Sequence, residues 1–133
     1  MVKLTQQIKD TLVKGTTYYF ATSSKAGVPN AVPIKALKVL DDETLLVSDQ
    51  YFGKTAKNLE ENPHVAISFW GDKGGYQIKG TATVHKSGKV FDDDVAWVHN
   101  DLNPNLKPKA AVVVKVTDVF NVKGGPDAGK KVL

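Results

Sequence analysis

Hydrophobic residues near the start of the chain recur at helical spacing. Leu4, Ile8 and Leu12 follow one another at intervals of four residues, which places their side chains on one face of a helix. The residues between them are mostly polar or charged, so the segment is amphipathic. Gly15 is suited to end a helix, because glycine readily adopts the left-handed conformation found after many helix C-termini. The pattern therefore predicts a helix over residues 3–14.

Two later segments also show a helical pattern. Residues 54–61 stop before Pro63, and a residue that precedes proline avoids helical backbone. Residues 87–101 place Phe91 and Val98 two helical turns apart and therefore on one face. We predict a short helix in the middle of the chain and another before its last long apolar run.

The remaining hydrophobic positions form runs of β-branched and aromatic residues that are typical of strands. Pro33 falls within one run and removes a ladder hydrogen bond, which predicts an edge strand or a bulge. The glycine-rich tail over residues 123–133 shows no such pattern, and we predict that it is loose. The predicted strands cover residues 16–22, 31–40, 44–49, 64–70, 76–86 and 110–122.

Six strands with two or three short helices predict a mainly β (α+β) protein, a small closed barrel with helices at its ends. The chain has 133 residues, of which 41% are hydrophobic, and this suits one domain over residues 1–133. A domain of this size buries a small share of its surface, so self-association is expected. The N-terminus lacks a long apolar core, so we expect neither a signal peptide nor a membrane anchor and assign the protein to the cytoplasm.

The composition excludes several kinds of site. The chain has no cysteine, which excludes thiol catalysis, disulfides and cysteine-based zinc sites. Its three histidines show no metal-ligand spacing, so no metal site is predicted. The adjacent carboxylates at residues 92–94 point in different directions on a helix, and we interpret them as a solvated helix start. The net charge of +4, from scattered lysines, suits an anionic small molecule at least as well as a nucleic acid.

The sequence Gly53-Lys54-Thr55 at the start of the central helix suggests an anion site. A P-loop requires a glycine where the chain has Ser48, so a nucleoside triphosphatase is excluded. A simpler site remains, because a helix N-terminus offers free backbone N–H groups and Lys54 adds a full charge. Thr55 adds a hydroxyl, and Asn58 lies one turn further along. The alternative is that Thr55 only caps the helix and Lys54 is solvated.

The order of segments resembles that of a known family. A strand ending in VPIKAL is followed by LLVSDQYFGKTAKNLEENPHVAISF and then by YQIKGTATV. From about Tyr18 to Val122, this order resembles the pyridoxamine 5′-phosphate oxidase-like, FMN-binding split-barrel family. Its most specific part is the basic residue, the helix with NLEENP, and the strand that follows. The resemblance implies a six-stranded split β-barrel and a homodimer with two FMN molecules, each in a groove between the subunits.

The resemblance also implies which residues hold the phosphate of FMN. By position, Lys54 and Thr55 bind the phosphate, and Asn58 is close enough in sequence to reach the same anion. Lys35 lies on the same groove, beside the phosphate or the ribityl chain. A phosphate group needs a localised positive site, and these residue types supply one.

A second set of residues is implied at the flavin ring. Val32, Pro33 and Ile34 run along the isoalloxazine edge and offer it backbone N–H and C=O groups. Ser48 and Asp49 end the neighbouring strand and meet the ribityl or pyrimidine side. This layout suits a flavin, which needs an apolar slot for its ring and a few polar groups near the ring nitrogens.

Other positions extend the resemblance or depart from it. Trp97, on the helix before the last strand, is a candidate for stacking on the flavin bound to the partner subunit. Asn30 stands where the oxidase has an arginine, and Thr55 stands where it has a second basic residue. The chain also ends where the oxidase continues into its substrate-binding segment. The resemblance therefore implies the cofactor but not the oxidation of vitamin B6.

The function implied by the resemblance is that of an FMN-dependent oxidoreductase acting on an unidentified small redox partner, with a nicotinamide or a protein as electron donor. The flavin carries the redox chemistry, which fits a chain without a recognisable triad or metal cluster. Two alternatives use the same groove: a non-catalytic protein that stores FMN or transfers electrons, and a reductase that binds a deazaflavin. Nucleic-acid binding is not expected, because outside residues 16–22, which we interpret as core, no predicted strand has paired aromatic residues placed between basic residues.

Overall fold

The computed structural model describes residues 2–133, and their backbone is mainly β. The predicted fold class is confirmed, since a single antiparallel sheet of seven strands is accompanied by a few short helices in this range. The strands are β1 (Tyr18–Ser23), β2 (Pro29–Ile34), β3 (Leu37–Asp41), β4 (Thr44–Asp49), β5 (His64–Gly71), β6 (Gly74–His85) and β7 (Ala110–Asn121). The helices are α1 (Gln6–Lys9), α2 (Lys54–Glu61) and α3 (Lys89–Trp97), which continues into a π-helical turn over Val98–Leu102.

The sheet curls into a barrel because its two edge strands are neighbours in the chain. The strand order is β2-β1-β5-β6-β7-β4-β3, and every pair is antiparallel. Only Lys35 and Ala36 separate β2 from β3, so the two edges of the sheet must lie close together. The N–H of Ser48 donates to the carbonyl of Ala36 at 3.0 Å, which holds this link against β4. Because β2 and β3 do not pair, the barrel remains split along this seam.

The seventh strand comes from the run over residues 31–40, which the hydrophobic pattern assigns to one strand. The chain leaves one edge of the sheet at Ile34 and joins the other edge at Leu37. Apolar residues lie on both sides of the break, so the pattern alone does not reveal it. Pro33 lies on the edge strand β2, as predicted, where one side of the backbone has no neighbouring strand.

The barrel interior is filled by large apolar side chains from alternate strand positions. In β1, Tyr18 and Phe20 are fully buried, whereas Tyr19 between them is exposed. The ring of Tyr18 packs edge-on against Phe69, with centroids 5.3 Å apart. This alternation places one face of the sheet on a common core. The core also contains Leu45, Val47, Ile67, Ile78, Val112, Val114 and Val119.

The first helix is shorter than the predicted 3–14, although the predicted face is the one that is buried. Only Gln6–Lys9 is α-helical, whereas Leu4, Ile8 and Leu12 all lie in the core. The N–H of Leu12 donates to the carbonyl three residues back, at 3.0 Å. The chain therefore tightens after the helix and still directs Leu12 towards the barrel.

The C-terminal tail is attached to the barrel, so the prediction that residues 123–133 are loose is wrong. The tail turns back along the end of β7, where the N–H of Val132 donates to the carbonyl of Val119 at 2.8 Å. Leu133 packs against the core. The glycines that make this segment look loose form its turns instead; Gly129, for example, has a φ of +84°, which other residues rarely adopt.

Candidate functional site

A groove of about 640 Å³ lies where the edge strand β2 faces the start of α2. One wall is β2 with its link to β3, and the opposite wall is the segment from the end of β4 into α2. The ends of two other segments, one after α1 and one after α3, complete it. The lining residues are Lys14, Gly15, Asn30, Val32, Pro33, Ile34, Lys35, Ala36, Ser48, Gln50, Tyr51, Phe52, Gly53, Lys54, Thr55, Leu102, Asn103 and Leu106.

The charge of the groove is positive. Lys14, Lys35 and Lys54 all line it, and no Asp or Glu of residues 2–133 does. The three lysines come from separate parts of the chain, and the fold brings them to one cavity. Concave sites lined by one sign of charge concentrate ligands of the opposite sign. The groove is therefore suited to an anionic ligand.

The N-terminus of α2 opens onto this groove without a side-chain cap. Gly53 occupies the capping position and makes no side-chain bond to the helix. The first helical bond is donated by the N–H of Lys57 to the carbonyl of Gly53, at 3.3 Å, so the preceding N–H groups have no acceptor within the helix. Thr55 is the second residue of the helix, and the alternative that its side chain caps the helix is wrong. The free N–H groups and Lys54 thus face the same cavity.

A hydrogen-bonded network of four polar side chains holds α2 against the sheet behind the groove. The Asn30 Nδ2 donates to the Thr55 Oγ1 at 2.9 Å and to the Thr22 Oγ1 at 3.3 Å. The Asn58 Nδ2 donates to the same Thr22 oxygen at 3.0 Å. The network joins β1, β2 and α2 and so fixes the helix start. Asn58, predicted to reach the anion, lies in this network and does not line the groove.

The loop between β4 and α2 is fixed by Asp49 and Phe52. The N–H of Phe52 donates to the Asp49 Oδ1 at 2.9 Å, and the Lys109 Nζ donates to the carbonyl of Phe52 at 3.0 Å. The ring of Phe52 stacks on Phe20, with centroids 5.7 Å apart. Burial raises the pKa of Asp49. Asp49 does not itself line the groove; its side chain holds the loop that carries Lys54.

Behind the β4 wall lies a buried carboxylate that the sequence pattern did not identify. The Gln50 Nε2 donates to the Ser48 Oγ at 2.7 Å, and the Ser48 Oγ donates to the Asp94 Oδ2 at 2.7 Å. Asp94 is fully buried, so the interpretation of residues 92–94 as solvated is wrong for this residue. Burial raises the pKa of Asp94 to about 6, although the bond from Ser48 and the charge of Lys38 lower it.

The helical spacing of α3 could have predicted that Asp94 is buried. It follows Phe91 by three residues and precedes the buried Val98 by four, so it lies on the inward face of α3. Asp92 and Asp93, by contrast, are exposed.

Seven of the ten predicted site residues line the groove, and three do not. Trp97 is one of the three; it is half-buried beside β3, with the Lys38 Nζ 4.9 Å from its ring centroid. The other two, Asn58 and Asp49, lie behind the groove wall. Contact of Trp97 with a partner's flavin stays a prediction. The seven that line the groove are Val32, Pro33, Ile34, Lys35, Ser48, Lys54 and Thr55.

The residues that the structure describes contain neither a cluster of metal ligands nor a helix that could span a membrane. No group of three or more His, Cys, Asp or Glu side chains within residues 2–133 is placed to hold a metal ion. None of the helices in the same range is long and apolar enough to span a membrane.

Comparison with known proteins identifies the family of this split barrel. The family model described as pyridoxamine 5′-phosphate oxidase matches residues 4–123, and the chain belongs to this family. An uncharacterised protein of Methanocaldococcus jannaschii is 44% identical, over 98% of this chain and 88% of the relative. The crystal structure of HupZ from Group A Streptococcus is 29% identical with a TM-score of 0.79, and the match covers 95% of this chain and 99% of HupZ.

More distant structures share the fold but are named for different ligands. An FMN-binding protein from Syntrophomonas wolfei is 17% identical with a TM-score of 0.74, covering 90% of this chain and 84% of its own. An F420 reductase is 16% identical with a TM-score of 0.65, and the haem storage protein HutZ from Vibrio cholerae is 18% identical with a TM-score of 0.68. The fold alone therefore does not identify a ligand for the groove.

Proposed function

We propose that the groove binds FMN and that the protein is an FMN-dependent oxidoreductase. One observation carries the proposal: a single cavity joins the uncapped N-terminus of α2, with Lys54, to the largely apolar wall formed by Val32, Pro33 and Ile34. FMN has the same two parts, a phosphate at one end and an apolar ring system at the other. Membership of the pyridoxamine 5′-phosphate oxidase family supports the same assignment.

The residues at the α2 end fit the phosphate of FMN. Backbone N–H groups at a helix N-terminus and a lysine ammonium group are the usual partners of a phosphate dianion. Lys54 and the free N–H groups of the first turn supply both here. Lys35 and Lys14 add charge to the same cavity, and no Asp or Glu within residues 2–133 lines it to oppose them. Thr55 contributes through the network that fixes the helix start.

The remainder of the groove fits the flavin ring. Val32, Ile34, Phe52, Leu102 and Leu106 supply apolar surface. Ser48, Gln50 and Asn103 add a small number of polar groups, which is the balance expected of a site that binds and orients a cofactor. When bound, FMN supplies the transfer of a hydride or of single electrons. The side chains of the chain bind and orient the cofactor and exclude water from it.

The proposed assembly is a homodimer in which the partner subunit covers the open side of the groove. Tyr51 at the groove is 84% exposed, and Trp70 is 72% exposed; large aromatic side chains left in water favour burial at an interface. Light scattering at micromolar concentration is expected to give twice the chain mass of 14.4 kDa. A mass of one chain under these conditions would contradict a cofactor groove shared between subunits.

The proposed cofactor is tested by titration of the purified protein with three flavins. FMN is expected to bind at about one per chain and to give a bound-flavin spectrum, whereas riboflavin, which lacks the phosphate, binds much more weakly. The deazaflavin F420 is the third ligand, because an F420 reductase shares the fold. Binding of F420 in preference to FMN would show that the groove is a cofactor site but that its cofactor is a deazaflavin. Binding of neither would overturn the proposal.

A kinetic measurement separates an enzyme from a carrier. If FMN binds, rapid reduction of the bound flavin by a nicotinamide, followed by reoxidation with a small acceptor, supports an oxidoreductase. Slow reduction by every small donor would instead indicate a protein that stores FMN or passes electrons to another protein.

A further inference from the structure

A line of three side chains connects a buried carboxylate on α3 to the groove. Asp94 is fully buried and accepts from Ser48, which in turn accepts from Gln50, each at 2.7 Å. Ser48 and Gln50 line the groove, whereas Asp94 does not. A buried carboxylate is costly to a fold and persists when its charge has a use. No part of the phosphate site requires one.

The direction of these hydrogen bonds follows from chemistry. An ionised carboxylate only accepts, so the single hydroxyl proton of Ser48 is donated to Asp94. The Ser48 oxygen is then free to accept, and the Gln50 amide nitrogen donates to it. The amide nitrogen of Gln50 is thereby held on the Ser48 side. Its carbonyl Oε1 makes no hydrogen bond to any of residues 2–133 and remains available as an acceptor.

We propose that Asp94 is a positioning residue that acts through Ser48 to orient Gln50, so that the groove offers a hydrogen-bond acceptor to its ligand. The inference rests on the proposed function. In oxidised flavin, the ring group that an acceptor can recognise is the imide N–H of the pyrimidine ring. Asp94 therefore contributes to selecting a flavin, although it does not contact the groove.

The orientation of Gln50 depends on the proton at Asp94. Asp94 that is protonated at Oδ2, the oxygen bonded to Ser48, donates to Ser48 and leaves the Ser48 hydroxyl able to donate to the amide oxygen of Gln50. The amide then turns over and presents its N–H₂ group, which repels an imide N–H. Burial disfavours the charge on Asp94, Lys38 on β3 favours it, and Asp49 on β4 disfavours it. The pKa of about 6 places the change near neutral pH.

The test measures the Kd of FMN between about pH 5 and pH 8 for four proteins: wild type, Asp94→Asn, Gln50→Ala and the double variant. The phosphate of FMN titrates in the same range, so the quantity compared is the ratio of Kd values between variant and wild type at each pH. For Asp94→Asn this ratio is expected to be about five at high pH, which is the effect of losing one hydrogen bond. At low pH, where Asp94 of wild type is protonated, the ratio is expected to be close to one. In the Gln50→Ala background, Asp94→Asn is expected to have no further effect.

Asp93→Asn is the matched control, since it makes the same chemical change on the same helix at an exposed position. Its ratio is expected to stay near one at every pH. Should Asp94→Asn fail to fold, the Kd ratio of Gln50→Ala to wild type tests the same coupling, because it must fall as the pH decreases.

Three results overturn the inference, and they are distinguishable. The first is a Kd ratio of Asp94→Asn to wild type that does not change with pH. The second is an effect of Asp94→Asn that is just as large in the Gln50→Ala background. Either result, obtained where wild type binds FMN, overturns the inference and leaves the proposed function standing. The third is absence of FMN binding by wild type at every pH, which overturns the proposed function and the inference with it.

Discussion

Replacement of Lys54 by alanine is expected to weaken FMN binding roughly ten- to hundredfold, the effect of losing a charge-assisted hydrogen bond to phosphate. Lys54 is the first residue of α2 and lines the groove. Its ammonium group adds a full charge at the point where the free N–H groups of the helix already attract an anion. The affinity is measured by quenching of FMN fluorescence at constant ionic strength, because an exposed charge is screened by salt.

Lys57→Ala is the matched control for this variant. Lys57 lies on the same helix and is exposed, and it does not line the groove, so the substitution removes the same charge from the chain but not from the site. Its Kd is expected to change by less than about twofold. Riboflavin provides a second control. It has no phosphate to contact Lys54, so its affinity is expected to be the same for Lys54→Ala and wild type. An unchanged FMN affinity of Lys54→Ala would remove Lys54 from the site.

The fold could be predicted wherever it depends on local pattern. Residues 54–61 were predicted as a helix from the proline that follows them, and α2 spans Lys54–Glu61. The last strand, predicted over residues 110–122, spans Ala110–Asn121. The break between β2 and β3 could not be predicted in this way. The pattern is apolar on both sides of Lys35, and the crossing from one sheet edge to the other becomes apparent only when the barrel closes.

The candidate site could be predicted in part, for the same reason. Lys54 and Thr55 carry a motif that is readable in sequence, and the resemblance supplied the residues of β2. Lys14 and Leu106 also line the groove, but they belong to two segments that are distant in sequence from the predicted residues. Nothing local to Lys14 distinguishes it from other lysines of the chain. Its position in the groove follows from the way α1 ends beside the barrel.

Asp94 is the clearest case of a residue whose environment changes its interpretation. In sequence it is one of three adjacent carboxylates, and exposure is the ordinary state of such a run. In the structure it occupies the buried face of α3 and binds Ser48. The helical period assigns this position to the core, where an apolar residue is expected. Polar residues at such positions are concentrated at functional sites.

Asp94→Asn is expected to raise the stability of the protein near pH 8 by as much as about 3 kcal/mol, because it removes a buried charge. The sign follows from the pKa of Asp94, which is raised from 3.8 to about 6. Between these values the folded protein keeps a proton that the unfolded chain releases. The free energy of unfolding of wild type therefore falls as the pH rises through this window, and the loss is complete above it. Asparagine does not titrate, so Asp94→Asn does not lose this free energy of unfolding as the pH rises.

The measurement is urea unfolding at one protein concentration, without added flavin, at several values between about pH 4 and pH 8. The difference in free energy between Asp94→Asn and wild type reports the titration of Asp94 together with its repulsion by Asp49. This difference is expected to grow with pH, and that of the exposed control Asp93→Asn to stay near zero. A difference that is independent of pH would show that the pKa of Asp94 is the same in the folded and the unfolded protein. Growth with pH would mean that the ionised form costs stability, as expected of a charge retained because it orients Gln50.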